Sequence, residues 1–69
     1  MSAIRLTSAI THEGSWFVAR CLEVEVASQG ETLESALSNL QEALELYFED
    51  HAAPTGAAPI IAPVDVNVV

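Results

Sequence analysis

The sequence predicts an α+β domain in two layers, with the element order β-β-β-α-β and one helix packed on a four-stranded mixed sheet. Period-two patterns occur near both ends of the chain, as in half-buried strands. One long stretch between them repeats apolar residues every three or four positions, as in a helix. A chain of 69 residues is long enough for one small domain, so residues 1–69 are treated as a single unit.

The N-terminal part predicts an antiparallel hairpin. Apolar residues alternate with polar ones over residues 2–11, which predicts the first strand. Residues 12–15 form a short polar loop with a glycine, and a β-rich run over residues 16–22 predicts the second strand. Arg20 marks the face of this strand that points away from the core. The helix should therefore cover Phe17, Ala19 and Cys21.

The opposite face of the second strand predicts association. It carries Trp16, Val18 and Leu22, and Leu46 points outward from the helix among polar residues. Exposed apolar surface of this kind is typical of interaction sites. We therefore expect a homodimer or a higher homo-oligomer that uses these four side chains as contacts.

Two further strands are predicted from alternating valines. Val24 and Val26 alternate with acidic residues, which predicts a third strand over residues 24–28 after a bend near Leu22. Val64, Val66 and Val68 predict a fourth strand over residues 64–69, parallel to the first and reached by a right-handed crossover. Residues 51–63, which include three prolines and a glycine, predict the connecting loop.

The helix is predicted over residues 33–50. Gly30 is expected to leave the third strand with a positive φ, and the Thr32 hydroxyl is expected to cap the helix. His51 follows the last turn, where a cation complements the helix dipole. The apolar helix face consists of Leu33, Ala36, Leu37, Leu40, Ala43, Leu44, Tyr47 and Phe48.

The charge balance disfavours several classes of partner. Two arginines and no lysine face ten acidic residues, which gives a net charge of −8. Phosphate contacts require Lys or Arg, so we expect no direct binding of nucleic acid and no binding to an anionic membrane. The sequence has no signal-peptide pattern and no membrane-length apolar run, and we expect a cytoplasmic protein.

Few residues suggest catalysis or metal binding. Cys21 with His12 or His51 would be a thiol nucleophile and its base, but Cys21 is predicted to face the core, where cysteine acts as a small hydrophobe. Glu23 with Glu25, and the helix carboxylates, lack the tight loop of a Ca²⁺ site. We predict no enzyme activity, no catalytic residues, no metal site and no cofactor.

The stretch from Ser28 to Tyr47, preceded by the Trp16–Cys21 run WFVARC, resembles the HicB antitoxin family. The run Ser28-Gln29-Gly30-Glu31-Thr32-Leu33-Glu34 carries most of the resemblance, which extends over about residues 4–50. The resemblance implies a partial ribonuclease H-like fold. It also implies a partner of the HicA type, a small basic ribonuclease that HicB proteins bind and mask. Many HicB antitoxins also carry a DNA-binding module, and this sequence shows no second helical pattern for one, which suggests a short form.

Two functions remain open from the sequence. The first is an antitoxin-like protein of a toxin–antitoxin system, with a toxin contact on the outer helix face formed by Glu34, Glu42, Glu45 and Glu49. Glu23 and Glu25 on the predicted third strand are an alternative contact. The second function is a stand-alone homo-oligomeric HicB-like module with another partner, or with a small-molecule ligand at the subunit interface.

Overall fold

The structure is a computed structural model and describes residues 4–54 and 59–69. Within these residues a three-stranded antiparallel sheet is covered on one face by a single helix. The elements are β1 (Ser8–Glu13), β2 (Trp16–Cys21), β3 (Ala27–Gly30) and α1 (Leu33–Asp50). The strands lie in the order β1-β2-β3. The predicted α+β class and the two layers are confirmed, and the bounds of α1 match the predicted residues 33–50.

The first hairpin turns over only two residues. Glu13 pairs with Trp16, so Gly14 and Ser15 alone form the turn, and Gly14 has φ 63°. A glycine with positive φ at the first central position is typical of a type II′ turn, which suits the twist of a hairpin. The predicted four-residue loop is therefore too long, because His12 and Glu13 continue β1. The first strand begins at Ser8 rather than Ser2, and residues 2 and 3 lie outside the described residues.

The second connection is a four-residue bend over residues 22–25. The Cys21 N–H donates to the Val26 carbonyl at 2.9 Å, and this bond closes the loop before Arg20 pairs with Ala27. The predicted bend near Leu22 is confirmed, but the predicted third strand over 24–28 is wrong in its bounds. Val24 lies in the bend because its carbonyl accepts from the Val26 N–H at 2.9 Å, a contact two residues apart that no strand makes.

The helix begins with a reciprocal cap. The Thr32 hydroxyl accepts from the Ser35 N–H at 3.0 Å, and the Ser35 hydroxyl accepts from the Thr32 N–H at 3.1 Å. Two N–H groups without helical partners are satisfied in this way. The predicted cap is confirmed. The positive φ predicted for Gly30 is wrong, because Gly14 is the sole positive-φ glycine among the described residues. A Cβ on Gly30 would lie 2.6 Å from the Ala36 nitrogen and would also overlap the Ser35 hydroxyl.

The core lies between β2 and the first half of α1 and is small. Among the described residues, the buried apolar side chains are Ala19, Cys21, Ala36 and Leu40. Ile10, Phe17, Val26 and Leu44 are half-buried around them. The predicted inner face of β2 is confirmed. Leu33 and Leu37 stay exposed, because three strands are too few to cover the whole apolar face of α1.

The predicted fourth strand does not join the sheet in the part of the chain that the structure describes. Residues 64–69 form no regular secondary structure, and the sheet has three strands instead of four within that part. The alternating side chains Val64, Val66 and Val68 are 82%, 71% and 87% exposed. The predicted loop begins after Asp50 as expected, and its residues 55–58 lie outside the described residues. An alternating pattern specifies a strand conformation, but it does not specify which sheet edge the strand joins.

Candidate interaction surfaces

The outer face of α1 carries a stripe of carboxylates, here called the acidic stripe. It consists of Glu34, Glu42, Glu45 and Glu49, all exposed. At ~100° per residue these four positions fall within about 80° of one another around the helix axis. Ala36 and Leu40, which are buried, lie on the opposite side of the helix. The acidic stripe therefore points directly away from the sheet, where a partner can reach all four groups.

The helix is held in this orientation by its contacts with the sheet. The Asn39 side-chain amide donates to the Gln29 carbonyl at 2.8 Å and links the middle of α1 to β3. Together with the burial of Ala36 and Leu40, this bond keeps the acidic stripe outward. His51 caps the C-terminal end of the helix itself, where its Nδ1 lies 2.8 Å from the Tyr47 carbonyl and its ring stacks on the Tyr47 ring.

Glu23, considered in the sequence as part of an alternative contact, takes part in folding. Its Oε1 accepts from the Thr7 N–H at 2.9 Å, and its Oε2 accepts from the Thr7 hydroxyl at 3.0 Å. The Cys21 thiol donates to the same carboxylate at 3.5 Å. The Leu22 N–H in turn donates to the Thr7 carbonyl at 2.9 Å. The Glu23 carboxylate thus replaces a backbone acceptor where the β1–β2 pairing ends. Glu25 is exposed, so of the two glutamates it is the one more accessible to a partner.

These bonds affect the titration of Glu23. The Thr7 N–H, more than any other group, lowers the pKa of the Glu23 carboxyl below its ordinary value of 4.5. Desolvation opposes this shift in pKa, and the Thr7 hydroxyl and the Cys21 thiol add to it. A lowered carboxyl pKa stabilises the fold above the unfolded pKa, and this contribution is lost as the pH falls through the folded pKa.

We therefore expect Glu23→Gln to reduce stability at pH 7, with a deficit that shrinks as the pH is lowered below the ordinary carboxyl pKa of 4.5. The amide has no negative charge and binds the two Thr7 donors less strongly than the carboxylate. Urea unfolding over a series of acidic pH values measures the difference in midpoint between variant and wild type. Glu25→Gln is the matched control and should be close to neutral throughout. A Glu23→Gln deficit that does not decrease as the pH falls would contradict a role for the carboxylate charge.

The three residues considered for catalysis lie in different surroundings. Cys21 is buried, and its thiol bonds to Glu23. His12 stacks on Phe17 at 4.2 Å between ring centroids, and His51 lies at the end of α1. Neither histidine bonds to the thiol among the described residues. Within the same residues there is no group of three or more His, Cys, Asp or Glu side chains that could hold a metal ion.

The predicted oligomer contacts lie on more than one surface. Trp16 and Val18 belong to the open sheet face, because their neighbour Ala19 points to the helix. Leu22 lies in the β2–β3 bend and is 45% exposed, whereas Leu46 is 65% exposed on the helix layer. The structure therefore brings Trp16 and Val18 together on the sheet layer and separates Leu46, on the helix layer, from them. A single flat interface cannot include all three side chains.

A second apolar surface was not predicted from the sequence. An open groove of about 760 Å³ runs between α1, from Leu37 to Glu49, and the segment that leads into β1. Its apolar lining includes Ile4, Leu6, Leu37, Leu40, Leu44 and Phe48, and Glu45 and Glu49 lie at its rim. The sequence shows these residues as apolar faces of two elements. It does not show that the helix packs on β3 and β2 and leaves the β1 side uncovered.

Comparison with known families places this chain in one whose function is unknown. The sequence pattern of that family, DUF7387, matches residues 5–66. The chain belongs to the family, since the match covers most of its length. No curated protein and no solved structure matches it significantly. Among the described residues, no helix has both the length and the apolar character needed to cross a membrane.

Proposed function

We propose that this chain is an antitoxin-like interaction protein that binds a small basic ribonuclease of the HicA type and neutralises it by masking. The observation that carries the proposal is the acidic stripe, four exposed carboxylates on the outer face of α1, in a chain with net charge −8. Further support comes from the resemblance of residues 4–50 to HicB antitoxins, and a partial ribonuclease H-like fold is part of the same proposal.

The chemistry of the partner explains why a carboxylate row is suitable. A ribonuclease grips the phosphates of RNA with Lys and Arg side chains. Carboxylates three and four residues apart on a helix have Cβ atoms about 5–6 Å apart and form a continuous anionic row. Such a row competes for the same cationic groups. Complementary charge mainly speeds the encounter and excludes wrong partners, so the complex should form faster at low salt.

The expected cellular context is the cytoplasm. A protein that masks a ribonuclease has to meet it there, where RNA is translated. Direct nucleic-acid binding is not part of the proposed function, because the two arginines are too few to neutralise a row of phosphates.

Charge reversal in the acidic stripe is expected to abolish capture of the partner. In the double variant Glu42→Lys with Glu45→Lys, two attractive contacts become repulsive, and we expect affinity to fall at least ~100-fold if both lie at the contact. The tagged protein is purified from its native cells at low salt, and stoichiometric companions are identified by mass spectrometry. The companion is then produced separately, and its affinity for wild type and variants is measured by calorimetry.

A matched variant separates the local contact from the total charge. Glu13→Lys with Glu31→Lys changes the net charge by the same amount, from −8 to −4, since each exchange adds two positive units. Both side chains are exposed and lie off the acidic stripe. This control should lose far less affinity. Equal losses in the two variants would show that the contact lies elsewhere, and Glu25→Lys then tests the β2–β3 bend.

A second function is favoured by the exposed apolar surfaces. The open sheet face, Leu46 and the groove beside α1 are more apolar surface than a lone small domain usually exposes. A stand-alone homo-oligomeric module, with a different partner or a small-molecule ligand held between subunits, would use them. Recovery of a homo-oligomer with no basic companion would favour this second function.

A further inference from the structure

The free edge of β1 is the part of the sheet best suited to accept another strand. β1 pairs with β2 only, and no strand of the described residues pairs with its other edge. The Thr7 carbonyl bonds to Leu22 across the β1–β2 pair, so the alternation of an antiparallel ladder directs the backbone groups of Ser8, Ile10 and His12 to the free edge. Unpaired edges with apolar surroundings readily recruit strands.

The groove beside this edge is an unfilled continuation of the core. Ile4 and Leu6 are separated from Ile10 by even numbers of positions, so an extended chain places all three side chains on the same face. Ile10 packs against the core under the helix. Leu37, Leu44 and Phe48 face them from α1. A strand placed beside β1 would direct every second side chain into this space. The groove therefore calls for an extended segment with apolar residues at alternate positions.

Residues 60–69 of the chain have the required pattern. Val64, Val66 and Val68 alternate with Asp65 and Asn67, and Ile60 is 93% exposed. All described residues after Asp50 are exposed. The radius of gyration is 14.1 Å, whereas about 11 Å is typical of a compact chain of this length. The segment extends away from the domain and does not fill the groove of its own chain.

Charge distribution determines which part of a second copy can approach the groove. Nine of the ten acidic residues precede His51, so two copies of the folded part repel each other. The segment over residues 60–69 contains one charged side chain, Asp65, on the face opposite the three valines. It is the part of a second copy that can approach the groove without bringing carboxylates into it.

The size of the contact also favours exchange in both directions. The core contains four buried apolar side chains among the described residues, and Leu40 is the largest of them, so a chain this short is marginally stable on its own core. One added strand buries a modest area. Two reciprocally exchanged segments, each with several exposed aliphatic side chains, bring the total toward the roughly 1,000 Å² of a specific interface.

We propose that two copies of this chain exchange their C-terminal segments, so that residues 64–69 of each copy form a fourth strand on the β1 edge of the other. Val64, Val66 and Val68 fill the groove between α1 and the segment before β1. Glu45 and Glu49 lie at the rim of this groove, so the added strand borders the acidic stripe on the outer face of α1. The proposal does not depend on which partner the stripe binds.

Oligomeric state tests the proposal in the full chain with one pair of matched variants. Val66→Asp and Asn67→Asp add the same charge at adjacent positions on opposite faces of the predicted strand. Wild type and Asn67→Asp should be dimers by size-exclusion light scattering over a concentration series. Val66→Asp should weaken dimerisation at least ~10-fold, because an unpaired carboxylate would enter the apolar groove. Circular dichroism checks that the helix remains.

A monomeric wild type, or equal dimerisation of the two variants, would overturn the proposal. A mixture of isotope-labelled and unlabelled chains distinguishes exchange from closure within one chain. We expect filtered NOEs between the methyl groups of Val66 in one copy and Leu6 or Leu37 in the other. The same NOEs within a single chain only would show that the segment folds back on its own β1 edge and would refute exchange.

Discussion

Replacing Gly30 with alanine is expected to destabilise the fold by about 2–3 kcal/mol, the upper part of the range for overpacked sites. The new Cβ would lie 2.6 Å from the backbone nitrogen of Ala36 and would overlap the Ser35 hydroxyl. The helix would have to move away from β3, and the reciprocal cap between Thr32 and Ser35 would be disrupted at the same time. For a chain of this length total stability is roughly 3–10 kcal/mol, so a large share would be lost.

Urea unfolding followed by circular dichroism measures the effect, with Gly14→Ala as the comparison. A Cβ on Gly14 would meet no atom within 4 Å, and only the φ of 63° at this position opposes a side chain. That substitution should cost about 1–2 kcal/mol, the penalty for a left-handed residue. If Gly30→Ala were the milder of the two, the close approach of helix and strand would not be the reason for glycine at position 30.

Leu40→Ala is expected to have a similarly large effect. Leu40 is 3% exposed and is the largest of the buried apolar side chains. Truncation removes its contacts with Ala19 and the surrounding half-buried residues and enlarges the groove that Leu40 lines. Substitutions of this type cost about 2–5 kcal/mol, and the open groove on one side should place this one near the lower end.

Leu46→Ala is the matched control, because it makes the same chemical change on the same helix at a side chain that is 65% exposed. We expect a change within about 0.5 kcal/mol, as for surface substitutions in general. Thermal unfolding at a fixed low concentration compares the two variants. Equal losses would mean that Leu46 is buried in an assembly, and dilution would then reduce the effect of Leu46→Ala but not that of Leu40→Ala.

The sequence predicted an element well where the spacing of residues within that one segment determines it. The bounds of α1, the cap at Thr32 and the inner face of β2 follow from spacing along the chain. The role of Gly30 does not, because a close approach between two elements depends on how they pack. The sequence shows a glycine where a strand ends, and without the position of the helix a positive φ is the simplest reason for it.

Positions that depend on pairing were predicted less well. Val24 fits a strand pattern, yet it lies in a bend because the Cys21–Val26 bond closes the loop first. Val64, Val66 and Val68 fit a strand pattern too, but the alternation does not identify the edge or the chain that receives it. Glu23 looked like a surface carboxylate, and its bonds to Thr7 depend on how the bend folds back toward the segment before β1.

The residues of the acidic stripe could be predicted from the sequence, but the groove beside them could not. The four glutamates of the acidic stripe follow from helical spacing, and the helix orientation keeps all of them exposed. The groove was missed because its two walls, residues 4–8 and residues 37–49 of α1, are far apart in sequence. Leu46 was predicted to be an oligomer contact together with Trp16, Val18 and Leu22, and the structure places it on a layer different from that of Trp16.

Inhibition of the captured partner tests the proposed function most directly. The small basic protein recovered with the wild-type chain is purified alone, and its cleavage of RNA is followed while the wild-type chain is added. We predict that cleavage stops at a stoichiometric ratio, that Glu42→Lys with Glu45→Lys fails to stop it, and that Glu13→Lys with Glu31→Lys still does. A captured protein that does not cleave RNA, or cleavage that continues in excess wild-type chain, would contradict the proposed masking.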